Sequence, residues 1–106
     1  MINKQKALDD FQISEKELDE MLSEFVVQAD DTINAIEKKL GEGKVHEAER
    51  CAHSLKGVSG NLRLDECFRI ATILDDYLKK NESAPAVRIL GELKKAVEEV
   101  RGSIRG

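Results

Sequence analysis

The chain of 106 residues has no tryptophan, one tyrosine and three phenylalanines, so any packed interior must be assembled from Leu, Ile, Val and Ala. A single proline leaves little to interrupt helices, because proline is the residue that helix interiors tolerate least. Long apolar runs are also missing. The longest is Phe25-Val26-Val27, against the ~18 apolar residues that suggest a membrane span, and a bilayer-spanning role is excluded. The N-terminal stretch carries Lys4, Lys6, Asp9 and Asp10 where a signal peptide would have an apolar core, so a cytoplasmic location is expected. Basic residues are outnumbered 17 to 21, for a net charge of −4 and a pI near 5.2. Binding to a phosphate backbone relies on clustered Lys and Arg, so nucleic acid is not an expected partner. Two cysteines, Cys51 and Cys67, lack CxxC spacing and read as reduced thiols, not as a disulfide scaffold. No glycine-rich phosphate loop precedes a helix; Gly41-Glu42-Gly43 is too short and too acidic. Neither nucleotide nor any other cofactor is expected.

What the chain does contain is helix periodicity, in a length suited to one domain spanning residues 1–106. Ser14 and Glu17 form a capping-box pattern, with Ile13 and Leu18 placed as a hydrophobic staple. Apolar residues then recur at Leu18, Leu22, Phe25, Ala29, Ile33, Ile36 and Leu40, which predicts a helix over about 15–40 ended by Gly41. A second stripe, Val45, Ala48, Ala52, Leu55, Ser59 and Leu62, predicts a helix over about 44–61. The third, about 65–80, turns Leu64, Cys67, Phe68, Ala71, Leu74 and Leu78 inward. The fourth begins near Ser83 or Ala84, with Pro85 in its first turn, and buries Ala86, Leu90, Leu93, Val97, Val100 and Ile104. Lys4–Phe11 forms a short helical lead-in whose Leu8 and Phe11 cover one end of the core. Short connections favour antiparallel neighbours, so the expected fold is all-α, an up-down-up-down four-helix bundle with that lead-in.

Function must sit on positions the bundle does not need. At 100° per residue, Lys56, Gly57 and Gly60 each fall within about 60° of His53 on the outward side of the second helix. A helix-interior glycine costs about 1 kcal/mol relative to alanine, so the two glycines point to something bulky approaching His53 closely. A neutral imidazole is a competent nucleophile near pH 7, and Lys56 is placed to offset charge gained by phosphorylation. Glu49, four residues before His53, is either a solvated charge or a group that orients the imidazole. His46, the other histidine, is read as a solvated residue near the helix start. It lies roughly 10 Å from His53 along the helix axis, too far for one zinc with ligands at about 2 Å, so no metal site is expected. Val27 sits off the main stripe and either packs beneath the N-terminal segment or borders a docking surface.

The run Ala52-His53-Ser54-Leu55-Lys56-Gly57-Val58-Ser59-Gly60-Asn61-Leu62 closely resembles the signature of histidine-containing phosphotransfer (HPt) domains. The likeness extends over roughly residues 18–78, through Phe25 and the Ala71-Leu74-Asp75 stretch. It implies that His53 accepts a phosphoryl group from a receiver-domain aspartate, or from an upstream hybrid sensor kinase, and passes it to a response regulator. Lys56 would assist, and Gly57 and Gly60 would admit the partner. The expected protein is a monomeric phosphotransfer intermediate with no ATP-binding or metal site of its own. Two departures stand out: Arg63 follows Leu62 where many relatives have Gly, and Asp75 replaces the usual Glu. The alternatives are the phosphoacceptor domain of a chemotaxis-type kinase, or a helical interaction module that has lost transfer.

Overall fold

The computed structural model describes residues 4–104, the side chain of Ala7 excepted; the outermost ends of the expected 1–106 domain lie outside these. Among the described residues there are five helices and no strand: α1 (Lys4–Phe11), α2 (Glu15–Gly41), α3 (Val45–Asn61), α4 (Asp65–Lys79) and α5 (Ser83–Ser103). The periodicity therefore placed every long helix to within a residue or so. Each of α2 to α5 packs against two others, α2 and α4 both touching α3 and α5. The shared interior is aliphatic apart from Phe25 and Cys67, with Leu18, Leu22, Ile36, Leu55, Leu74, Leu93, Val97 and Val100 almost fully enclosed. Truncating one of these, such as Leu55→Ala, costs on the order of 2–5 kcal/mol. Leu8, Phe11 and Ile13 close one end of this core, and Lys4 holds Asp19 of α2 at 2.7 Å.

The helix ends explain themselves through backbone hydrogen bonds. At the start of α2 the Glu17 N–H donates to Ser14 Oγ at 3.1 Å, and the Ser14 N–H donates to the Glu17 carboxylate at 3.3 Å. This is the capping box expected from the sequence. At the other end α2 stops at Gly41 as expected, but Gly41 is its last helical residue and Gly43, at φ 75°, takes the left-handed position. The Lys44 N–H then reaches the Lys39 carbonyl at 2.8 Å and the Gly43 N–H the Leu40 carbonyl at 3.1 Å, a Schellman closure. The same pair of bonds ends α3 with Arg63 at φ 60° and α4 with Asn81 at φ 59°. Arg63 thus occupies a conformation suited to glycine, which accounts for glycine at that place in the resembled signature. Its side chain is engaged: the guanidinium lies 5.7 Å from the Phe11 ring centroid and donates to Asp10 at 3.3 Å, tying α1 to the end of α3.

One expected placement changes, at Phe68, and one open alternative closes, at Val27. Phe68 is not turned inward but 40% exposed, and Ile70 takes the buried place on α4. Its ring lies against Gly60, 3.0 Å from where a Cβ would stand, so the bare backbone of α3 gives the aromatic a shelf at the surface. Val27 is 64% exposed and does not pack beneath the N-terminal segment.

Candidate functional site

Helix α3 carries Glu49 and His53 four residues apart, and α4 carries Asp75 and Lys79 at the same spacing. That spacing puts each pair on one helix face, and the two faces meet where α3 packs on α4. His53 has a 64% exposed side chain, whereas Asp75 beneath it is 0% exposed. Nδ1 of the imidazole stands 3.3 Å from Asp75 Oδ2, and the Lys79 ammonium reaches the same oxygen at 3.3 Å. Burial pushes the Asp75 carboxyl up, but its hydrogen bonds with Glu49, His53 and Lys79, helped by the Lys79 charge, outweigh burial and hold it below its ordinary value. An ionised Asp75 can only accept. The proton on His53 therefore belongs on Nδ1, and the Nε2 lone pair is left for solvent or a partner.

Glu49 is the second carboxyl-bearing residue of the cluster. One ligand atom from each of Glu49, His53 and Asp75 lies within 4.8 Å of the others. A hydrogen bond to Asp75 raises the Glu49 carboxyl above its ordinary value, with burial and the Asp75 charge acting in the same direction and Lys79 and His53 opposing them. Asp75 Oδ1 is buried and meets no other donor, so the bond between the two carboxyl groups depends on a proton held by Glu49.

The other residues singled out from the sequence divide. Lys56 is half-buried on α3, on the His53 side of the helix. Gly57 is exposed, with nothing within 4 Å of a Cβ built on it, whereas the same position at Gly60 meets the Phe68 ring. Internal packing therefore accounts for Gly60, and of the two glycines beside His53 it is Gly57 that keeps an open backbone. His46 is exposed near the start of α3. Val27 joins Ser23, Glu24, Gln28, Asp31 and Thr32 along a shallow groove on α2. Sequence reasoning did not find Lys79, and it named Asp75 only through resemblance. A signal for Asp75 was present, since it continues the apolar spacing of Ala71 and Leu78, a place where a carboxylate must find partners.

The site is thus an exposed imidazole facing a buried carboxylate, beside bare helical backbone, on a helical module. A family model described as Hpt domain matches residues 20–103, and the chain belongs to that family, whose members carry out histidine phosphotransfer in two-component signalling. No curated protein and no solved structure gives a significant match. Hpt domains work with receiver domains and kinases and are phosphotransfer modules without a catalytic site of their own. No described helix is long and apolar enough to cross a membrane.

Proposed function

We propose that this chain is a single phosphorelay domain over residues 1–106, folded as an antiparallel up-down-up-down bundle of α2 to α5, with His53 as its phosphoacceptor. The reading rests on one observation above all: the His53 imidazole is exposed while its Nδ1 faces the buried Asp75 carboxylate at 3.3 Å. Nε2 attacks the phosphorus of a receiver-domain aspartyl phosphate or of a kinase-borne phosphohistidine. The new N–P bond forms as the old bond to phosphorus breaks, and the donor side chain leaves with the electron pair. The ring becomes cationic as it gives up electron density, and Asp75 stabilises it through the Nδ1 proton. The 3.3 Å contact is long for a charge-assisted bond and tightens as that charge grows. Lys56 offsets the added phosphoryl charge. Gly57 lets the donor approach, with Gly60 bordering the access path beside Phe68. The reverse reaction hands the group to a response regulator. Metal and the remaining electrostatic stabilisation come from the partner's acidic pocket, and the chain acts in the cytoplasm as a monomer.

The test is incubation with a phosphorylated receiver domain or its kinase. His53 is expected to acquire an acid-labile, base-stable phosphate that His53→Gln does not; label retained by that variant would overturn the assignment.

A further inference from the structure

Beneath the His53 ring lies a group of donors that the transfer reaction does not exhaust. Asp75 is fully buried, Oδ2 being engaged by His53 and Lys79 and Oδ1 meeting no donor unless Glu49 carries a proton. An orphaned carboxylate oxygen in a protein interior is costly unless something positive meets it. The Glu49 carboxylate and His53 Nδ1 converge on the same place, all three ligand atoms lying within 4.8 Å of one another. From this convergence we infer that Glu49, His53 Nδ1 and Asp75 form a binding site for a divalent transition-metal ion such as Zn²⁺. The site departs from the expectation that this chain holds no metal.

The donor set is right in kind. One imidazole nitrogen and two carboxylate oxygens suit a borderline ion, and three protein ligands with an open side match the pattern in which zinc keeps a water. Ligand atoms around one tetrahedral zinc stand about 3.3 Å apart given bonds of about 2 Å, so the present spread of up to 4.8 Å closes by up to about 1.5 Å. His53 is exposed, and Lys79 is 51% exposed, so the ring is free to turn and the ammonium to swing off Oδ2 as the ion arrives. Two carboxylates balance the charge of the ion. Lys79, now resting against Asp75, holds the place of a cation that a denser one would take.

The chemical consequence follows from the tautomer. With the metal on Nδ1, the proton displaced from that nitrogen goes to Nε2, and a neutral ring has no lone pair left to attack phosphorus. No redox step and no co-reactant is involved. The same cradle thus keeps His53 nucleophilic when it holds the Nδ1 proton and silences it when it holds a metal. The site rests on the geometry alone; only this consequence rests on the phosphoacceptor reading.

Zinc chloride titrated into the full chain tests the inference by calorimetry, with His53 ring nitrogens followed by long-range proton–nitrogen NMR. One zinc per chain is expected, weakened at least tenfold by either Glu49→Gln or Asp75→Asn, with the His53 proton moving from Nδ1 to Nε2 on saturation. Undiminished affinity in Glu49→Gln would place the ion elsewhere, for instance at His46 or Cys51, and overturn the site. Absence of binding at millimolar zinc would also overturn it, leaving a proton shared between the two carboxyl groups as the occupant. In the transfer assay, zinc is expected to slow phosphorylation of the unmodified chain at least tenfold and to have a much smaller effect on Glu49→Gln. Failure of the binding and tautomer readouts refutes the metal site, whereas a chain that never becomes phosphorylated without zinc refutes the phosphoacceptor reading instead.

Discussion

Gly57 offers a test in which stability and function are expected to move in opposite directions. It sits inside α3, its φ is not positive, and a Cβ placed on it meets nothing within 4 Å. Neither backbone conformation nor internal packing requires glycine there. Gly57→Ala should therefore stabilise the fold by up to about 1 kcal/mol, a rise in Tm of roughly 4–8 °C for a domain of this size. Gly57→Gln, with a good helix former, should recover about half a kcal/mol or more of the same gain. If glycine is retained so that a partner can press against α3 next to His53, the glutamine side chain forces that partner back by several ångströms. Misplacement of reacting groups by about 1 Å already costs on the order of 10²-fold in rate, so transfer to His53 in Gly57→Gln should fall at least that far. Thermal denaturation by circular dichroism, run beside timed transfer from a phosphorylated receiver domain, reads both quantities. Unimpaired transfer in the glutamine variant would refute the close-approach argument, and a lowered Tm in the alanine variant would refute the claim that the fold has no use for this glycine.

Asp75→Asn removes the charge that faces Nδ1 and should slow phosphoryl acceptance by about 1 kcal/mol, roughly fivefold, with Nε2–H rising in the ring tautomer measured by NMR. Because the folded state holds the Asp75 carboxyl low, its contribution to stability is present above the ordinary aspartate range and lost as pH falls through the lowered folded value. The stability gap between the unmodified chain and Asp75→Asn should accordingly be widest near neutrality and close in acid, as chemical denaturation at several pH values would show. Ser59→Ala removes a buried hydroxyl that has no partner and should leave stability unchanged or raise it by about 1 kcal/mol; a loss of 2 kcal/mol or more would mean that the hydroxyl is bonded in solution. Arg63→Gly relieves a left-handed arginine worth about 1 kcal/mol and forfeits the contacts with Phe11 and Asp10, so its Tm should change little while proteolysis near α1 becomes faster.

Much of this molecule could be read from residue order because its elements obey local rules. The α2 start follows from Ser14 and Glu17 bonding each other's backbone, and each stripe of aliphatic residues found its buried face. The misreadings come from contacts between helices. Phe68 looked like a core residue by spacing, and only the packing of α4 on α3 shows that Gly60 offers its ring a place at the surface. Gly41 and Gly43 both suit a left-handed turn, and the bonds from Gly43 N–H to the Leu40 carbonyl and from Lys44 N–H to the Lys39 carbonyl place it at Gly43. Arg63 could not be placed by propensity, since its conformation suits glycine and its partners Asp10 and Phe11 are distant in sequence. At the site, His53, Lys56 and Gly57 share one helix and were legible by angle alone. Asp75 and Lys79 belong to another helix, and their place beneath His53 depends on how α4 is rotated against α3, which periodicity does not specify to the nearest side chain.

The central claim is that His53, through Nε2, receives a phosphoryl group. The most direct measurement is phosphorus NMR with proton–nitrogen correlation on the uniformly ¹⁵N-labelled chain after incubation with a phosphorylated receiver domain. The account predicts one phosphoramidate signal coupled to Nε2 of His53, lost on brief acid treatment and absent from His53→Gln. A phosphate on any other residue, or a ring that stays unmodified while the receiver domain loses its phosphate only to water, would contradict it.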